Sequence, residues 1–267
     1  MFLESLEMPF MQRALIGGIL VGLLSSYYGP IVVQRRLAFL GSGLAHAAFG
    51  GVALGVLLSV HPLWVAVPFT VLVALAIVWV REYSGIEPDT TIGIFFSVSM
   101  ALGVIFLSMK QGYSGDAFTY LFGSILAITT TDLWITGAVT VLSLLTLPLW
   151  NRWAYATFDR SLAQADRLPV FREDSLLFVA IAVAIVVSIK VVGIVLMAAF
   201  LVLPPAAARL RARTFFEMTL LSVLIGLSSV VVGLFASYAL DLPSGPVIIL
   251  VQAAIFAILL PLRRRTG

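Results

Sequence analysis

Apolar stretches of membrane length alternate with short polar intervals from one end of the chain to the other. Breaking them at charged and turn residues gives nine runs, near 11–33, 38–60, 63–80, 90–109, 131–150, 174–190, 192–208, 215–239 and 246–262. Crossing ~30 Å of hydrocarbon takes about 20 helical residues, so each run reads as a membrane-spanning helix. The sixth and seventh are short and meet at Lys190-Val191-Val192-Gly193, so an eight-span count also fits. The segment from Ala117 to Ile128 is apolar but too short to cross, and reads as a partly inserted or surface helix. The expected fold class is all-α, a polytopic transmembrane bundle forming one domain over 1–267, with a loop at about 151–173.

Composition agrees with this pattern. Of 267 residues, 61% are hydrophobic and 11% charged, against about 45–50% and about 25% in soluble domains. The longest polar interval, from about Asn151 to Asp174, is too short to bury a core of its own. Glu4 and Glu7 precede the first run and no small-residue cleavage site follows it, so it reads as a retained span rather than a signal peptide. The absence of cysteine excludes disulfides, thiolate metal sites and thiol catalysis.

The net charge of +3 matters less than where the charges fall. Arg35-Arg36, Arg81, the set Arg152/Arg160/Arg167/Arg172, the trio Arg209/Arg211/Arg213 and the tail Arg263-Arg264-Arg265 occupy alternate loops. The intervening loops, around His61-Pro62, Lys110 to Thr131, Lys190 and Asp241 to Gly245, are nearly free of arginine. That alternation signals cytoplasmic loops rather than nucleic-acid binding. Nine spans then put the N-terminus outside and the C-terminus in the cytoplasm, with only Arg13 out of place. Small residues recur at Gly17, Gly18 and Gly22, and at Ala47, Gly51 and Gly55, where the second span presents a smooth face to another helix.

Few residues remain that can carry chemistry. A P-loop needs a lysine after glycine, but Lys110 follows Met109 and Lys190 follows Ile189. The chain is therefore not itself that kind of ATPase. Gly41-Ser42-Gly43 does not make a nucleophile elbow, and no acid accompanies Ser42 and His46, which disfavours an intramembrane hydrolase. His46 is the one histidine well inside a span, and Ser42 lies on the same helical face. Ionisable residues at such depth usually face a partner or a cavity, and imidazole is a ligand for zinc and its neighbours. A packing histidine is the alternative.

In the stretch Tyr155 to Pro169, Asp159 looks like a helix N-cap, followed by about two turns that Pro169 ends. Phe158, Leu162 and Ala163 or Ala165 form an apolar stripe whose mixed flanking charges favour docking to another subunit over lying on lipid. Asp89 with Thr90, and Asp241 with Ser244, look like N-caps of the fourth and ninth spans. Lys190, at a junction, reads as a snorkelling side chain.

Taken in order, several of these segments resemble the integral membrane permeases of zinc, manganese and iron ABC importers. The landmarks are Arg35 to Ala47, Asp89 to Ser97, Tyr120 to Leu126, Phe158-Asp159, Lys190 to Leu196 leading to Leu203-Pro204, and Asp241 to Pro246. The resemblance implies a fold like the cobalamin and iron-siderophore importers and a homodimeric permease. It also implies a P-loop ATPase subunit on the cytoplasmic face, which would bind the ATP, and an extracytoplasmic metal-binding protein. The stretch from Phe158 to Pro169 matches the family's coupling helix, with Phe158, Asp159, Leu162 and Ala163 as contact residues. Asp89, Lys190 and Asp241 fall in motifs with gating or structural roles.

Many family members carry an aspartate where this chain has Ser42, four residues before the histidine that with it lines the metal path. Losing that carboxylate weakens cation compensation in a low-dielectric passage and favours zinc over manganese, which prefers oxygen ligands. The expected function is ATP-driven import of a divalent transition metal, zinc first, then manganese and iron, by alternating access past His46. The rival reading is a stand-alone secondary transporter of inverted repeats, which would show similarity between its halves; none is visible.

Overall fold

Hydrocarbon offers no hydrogen-bond partners, so the backbone of a spanning segment satisfies itself, and helices follow. A computed structural model describes residues 8–110 and 128–262, and every regular element in them is helical. They are α1 (Pro9–Gln34), α2 (Leu40–Leu57), α3 (Pro62–Ser84), α4 (Pro88–Met109), α5 (Thr130–Leu144) and α6 (Trp150–Phe158). There follow α7 (Arg160–Ala165), α8 (Val170–Arg209), α9 (Phe215–Leu240) and α10 (Ser244–Leu259). A short 3₁₀ turn, Leu147–Leu149, joins α5 to α6, so the fifth run extends to Phe158 instead of ending near residue 150. Among the described residues, seven helical stretches are long and apolar enough to cross a membrane, and α10 is a shorter apolar helix. Of the short apolar segment around Ala117 to Ile128, all but Ile128 lies outside the described residues.

Local chemistry sets the helix ends. Pro9, Pro62 and Pro88 sit in the first turns of α1, α3 and α4, where a missing N–H costs nothing. Thr129 and Asp132 form a capping box at the start of α5. Two expected caps are corrected. Glu87 is the N-cap of α4 and Pro88 its first residue, so Asp89 lies inside the first turn. Asp241 closes α9 in a left-handed conformation (φ 53°, ψ 43°), and the N-cap of α10 is Pro243, ahead of Ser244. Aspartate tolerates that conformation, which turns the chain toward the next helix.

The 40-residue α8 replaces the sixth and seventh runs and decides the span count. Straight, it would reach about 60 Å, twice the hydrocarbon thickness. It breaks instead at Gly193, whose φ of 82° and ψ of 167° are not helical. The limb before the break, 170–192, carries Asp174 beside Arg35, at the C-terminal end of α1. It carries Val191 beside Gly17, near the N-terminal end of α1. Beyond the break the order reverses. Ser25 of α1 meets Met197, while Gly29 packs on Leu201 and Pro205. The first limb runs antiparallel to α1 and the second parallel to it, so Gly193 is a chain reversal and the nine-run topology holds.

The centre of the bundle is α1, α2 and both limbs of α8; α3, α4, α5 and α9 leave much of their surface uncovered. The smooth face of α2 packs as expected. A Cβ at Gly51 would lie 2.7 Å from the Ala66 Cα, and one at Gly55 would lie 2.8 Å from the Pro62 Cα. Backbones of α2 and α3 therefore touch, a contact any side chain would prevent.

The backbone at Gly193 lies in a region essentially reserved for glycine. Gly193→Ala is expected to lose about 1–3 kcal/mol of stability. Gly93→Ala serves as control, because nothing lies within 4 Å of a Cβ there. Thermal unfolding in detergent should show a lowered midpoint for the first variant and an unchanged or raised one for the second.

Candidate functional site

His46 sits in the second turn of α2, half-buried, with the edge of its ring on Phe96 of α4 at a centroid distance of 4.7 Å. Its Nδ1 lies 2.8 Å from the Ser42 carbonyl oxygen and 3.5 Å from the Ser42 hydroxyl. A carbonyl only accepts, so Nδ1 carries the proton and donates it. The lone pair of the neutral ring is then on Nε2, as a metal ligand requires. The structure thus brings His46 and Ser42 together through the serine backbone more than through its hydroxyl. Among the described residues no group of three His, Asp or Glu side chains gathers as a ready-made metal cage.

The stretch after the fifth run is helical to Phe158, turns at Asp159 and forms the short α7. Asp159 is the expected N-cap: its carboxylate accepts from the Leu162 N–H at 2.8 Å. The helix stops at Ala165 and Arg167 takes a positive φ, so the turn comes before Pro169 and the helix is shorter than two turns. Phe158 is 60% and Leu162 50% exposed, and the Phe158 ring meets Phe215 of α9 edge-on at a centroid distance of 5.4 Å. Ala163 is fully buried and packs with Ala156 and Val170, so it does not share that exposed face. It anchors α7 to its own chain and cannot contact a partner while α7 stays in place.

Lys190 does not snorkel. Its ammonium lies 2.5 Å from the Asp132 carboxylate, closing α5 on the first limb of α8. Asp132 is in turn held by the Thr129 hydroxyl at 2.6 Å. Lys190 stands at the end of the bundle opposite the arginines. So does Asp241, at the far end of α9, while Asp89 sits at the arginine end. The three are not one site.

The densest polar constellation was not singled out in the sequence. Asp174, with no exposed side-chain surface, takes Arg35 on Oδ1 at 2.5 Å, and Arg160 at 2.5 Å together with Arg81 on Oδ2. Arg160 also pairs with Glu82. Arg35 further donates to Thr157 Oγ1 at 2.8 Å and to the Trp153 carbonyl at 3.3 Å. The Arg81 guanidinium lies 5.3 Å over the Phe178 ring. Asp174 opens a membrane-length run amid arginine loops, and the acidic pair Glu173-Asp174 there was the available signal.

Comparison with known proteins gives this geometry a context. The chain is 33% identical over 258 residues to the manganese transport system membrane protein MntC of Halalkalibacterium halodurans, covering 96% of this chain and 88% of that protein. It is 33% identical over 253 residues to the high-affinity zinc uptake system membrane protein ZnuB of Haemophilus influenzae, covering 94% and 97%. A solved structure of PsaBC from Streptococcus pneumoniae in complex with Fab superposes with a TM-score of 0.85 at 34% identity, covering 97% of this chain and 94% of that one. The model of the ABC 3 transport family matches residues 7–262, and the chain belongs to that family as a multi-pass membrane permease.

Proposed function

We propose that this chain is the permease of an ATP-driven importer of a divalent transition metal, with zinc as its first substrate, then manganese and iron. The observation that carries the reading is His46. Its Nδ1–H is held by a backbone carbonyl and its Nε2 is left as a neutral nitrogen donor, inside a chain of this family. Relatives named for manganese are 33% to 36% identical and one named for zinc is 33% identical, so similarity does not favour zinc and the preference for it rests on chemistry. Imidazole beside a hydroxyl is a better match for a borderline cation than for one that favours carboxylates.

In this reading 1–267 is one permease domain that works as a homodimer in the cell membrane. Its N-terminus is outside and its arginine end cytoplasmic. A P-loop ATPase subunit binds ATP and docks on the coupling loop at about 151–173, chiefly on exposed Phe158 and Leu162, with Asp159 shaping the turn. An extracytoplasmic binding protein delivers the ion to the opposite end. ATP-driven closure of the ATPases moves the coupling helices, and the two permease copies alternate the side on which the passage past His46 and Ser42 is open.

Three outcomes test this. With the whole complex in proteoliposomes, His46→Ala is expected to cut metal uptake at limiting zinc by at least about tenfold, the scale on which even outer-shell changes reduce metal affinity. Unchanged uptake would remove His46 from the ion path. Ser42→Asp should move the ratio of manganese to zinc uptake several-fold toward manganese in a two-isotope competition, because it adds a carboxylate. Leu162→Glu should weaken copurification with the ATPase by about 2 kcal/mol or more, as losing a buried interface anchor does. A complex as tight as wild type would place docking elsewhere.

A further inference from the structure

We propose that Arg160 is a detachable latch that ties movement of the coupling helix to the membrane helices through Asp174, and so is a positioning residue for transport. The inference rests on the coupling role proposed for α7 and names the path by which that role reaches the bundle.

Arg160 is the first residue of α7, and among the described residues it is the member of the Asp174 cluster that α7 contributes. One guanidinium nitrogen reaches Asp174 on α8, and another reaches Glu82 on α3. Asp174 in turn holds Arg35 at the foot of α1 and Arg81 near the foot of α3. Arg35 also grips α6 through Thr157 and the Trp153 carbonyl. Arginines from three segments, α1, α3 and α7, thus converge on one carboxylate of α8.

The cluster is graded in exposure. Arg35 and Arg81 keep 8% and 13% of their side-chain surface, Arg160 35%. Arg160 is therefore the arginine that water reaches and the one that withdraws at least cost. When it leaves, Asp174 retains two cations and stays compensated, so the bundle survives in both states. The same withdrawal leaves Glu82 without Arg160, so that α3 is tied to the cluster through Arg81 alone. The charged pocket of about 430 Å³ lined by Arg35, Arg36, Arg81, Glu82, Thr157 and Arg160 gives the side chain room to swing.

The path to the ion is short. Arg35 is followed by Arg36 in a left-handed turn, Leu37 is buried, and α2 begins at Leu40. Six residues of helix, about 9 Å, separate that start from His46. A tilt imposed on the feet of α1 and α3, between which α2 is connected, is passed to His46 by rigid elements in contact.

The test uses the full complex with its ATPase. Arg160→Gln is expected to copurify with the ATPase and to keep its basal ATP hydrolysis. Zinc moved per ATP should fall about tenfold, within the range of site-to-site couplings. Arg160→Lys, which keeps the charge but bridges one carboxylate at a time, should restore part of the ratio. Glu82→Gln, which leaves Asp174 paired, should lose only part of it. A ratio unchanged in Arg160→Gln, or hydrolysis and uptake falling together, would overturn the latch. The chain has no cysteine, so spin labels at Gln164→Cys and Ser97→Cys report the motion without reference to metal. A distance change driven by nucleotide in the wild-type background should vanish in Arg160→Gln and remain in part in Glu82→Gln. Its survival in Arg160→Gln overturns the latch even if zinc is not the substrate. The wild-type complex importing no divalent metal would instead count against the proposed function.

Discussion

A fully buried carboxylate in an apolar bundle has to be answered by cations, and Asp174 is answered by three. Burying charge costs several kcal/mol per ion before any attraction is counted, so such a cluster adds little net stability over a well-packed apolar substitute. What it imposes is register. Removing Asp174 itself costs about 3–5 kcal/mol, because Arg35 and Arg81, both nearly buried, are then left in the bundle without it. The feet of α1, α3, α6, α7 and α8 can meet in few other ways that satisfy every guanidinium. The arginine end of the molecule is therefore interlocked by charge, whereas farther along, α2 is held to α3 by uncharged backbone contacts at Gly51 and Gly55.

Much of this fold was legible in the chain. Run length and hydropathy marked the helices and their order, while the sense of the crossings, read from the alternating arginines, belongs to the proposed function. Gly193 shows why the sixth and seventh runs were the hard case: a reversal of one residue leaves no polar loop to mark it. Only a glycine can hold its backbone there, and glycine is also common in the packed faces of neighbouring helices, so its identity alone did not distinguish the roles. The misread caps have a similar origin. Asp89 and Asp241 are both acidic residues near helix starts, but the adjacent proline decides where a helix begins. Pro88 and Pro243 moved the boundaries by one or two residues each.

At the site, what could be read was what depends on neighbours in sequence. The Ser42–His46 relation is four residues on one helix, and the Asp159 cap is three residues from its donor; both follow from helical geometry. Asp174 with Arg35, or Lys190 with Asp132, joins residues more than fifty positions apart, and no local pattern encodes such a pairing. Ala163 lies between the two cases. Spacing put it beside Leu162 on α7, but which side of a six-residue helix faces home is settled by the packing of Ala156 and Val170.

A passage that offers one imidazole per chain suits the proposed reading better than a stronger site would. An ion in transit must bind well enough to enter and poorly enough to leave, so a deep cage in the membrane would stop the cycle. Selective capture then belongs to the delivering protein, and the permease needs only to replace part of the ion's hydration briefly. Two copies of His46 meeting across a dimer would provide two nitrogen donors, with water completing the shell. A carboxylate at position 42 would tighten the contact and draw the preference toward oxygen-seeking metals. In the proposed reading Ser42 would set both how long the ion stays and which ion is favoured, and the competition between manganese and zinc reads the two effects separately: selectivity from their ratio, dwell from the maximal rate of each.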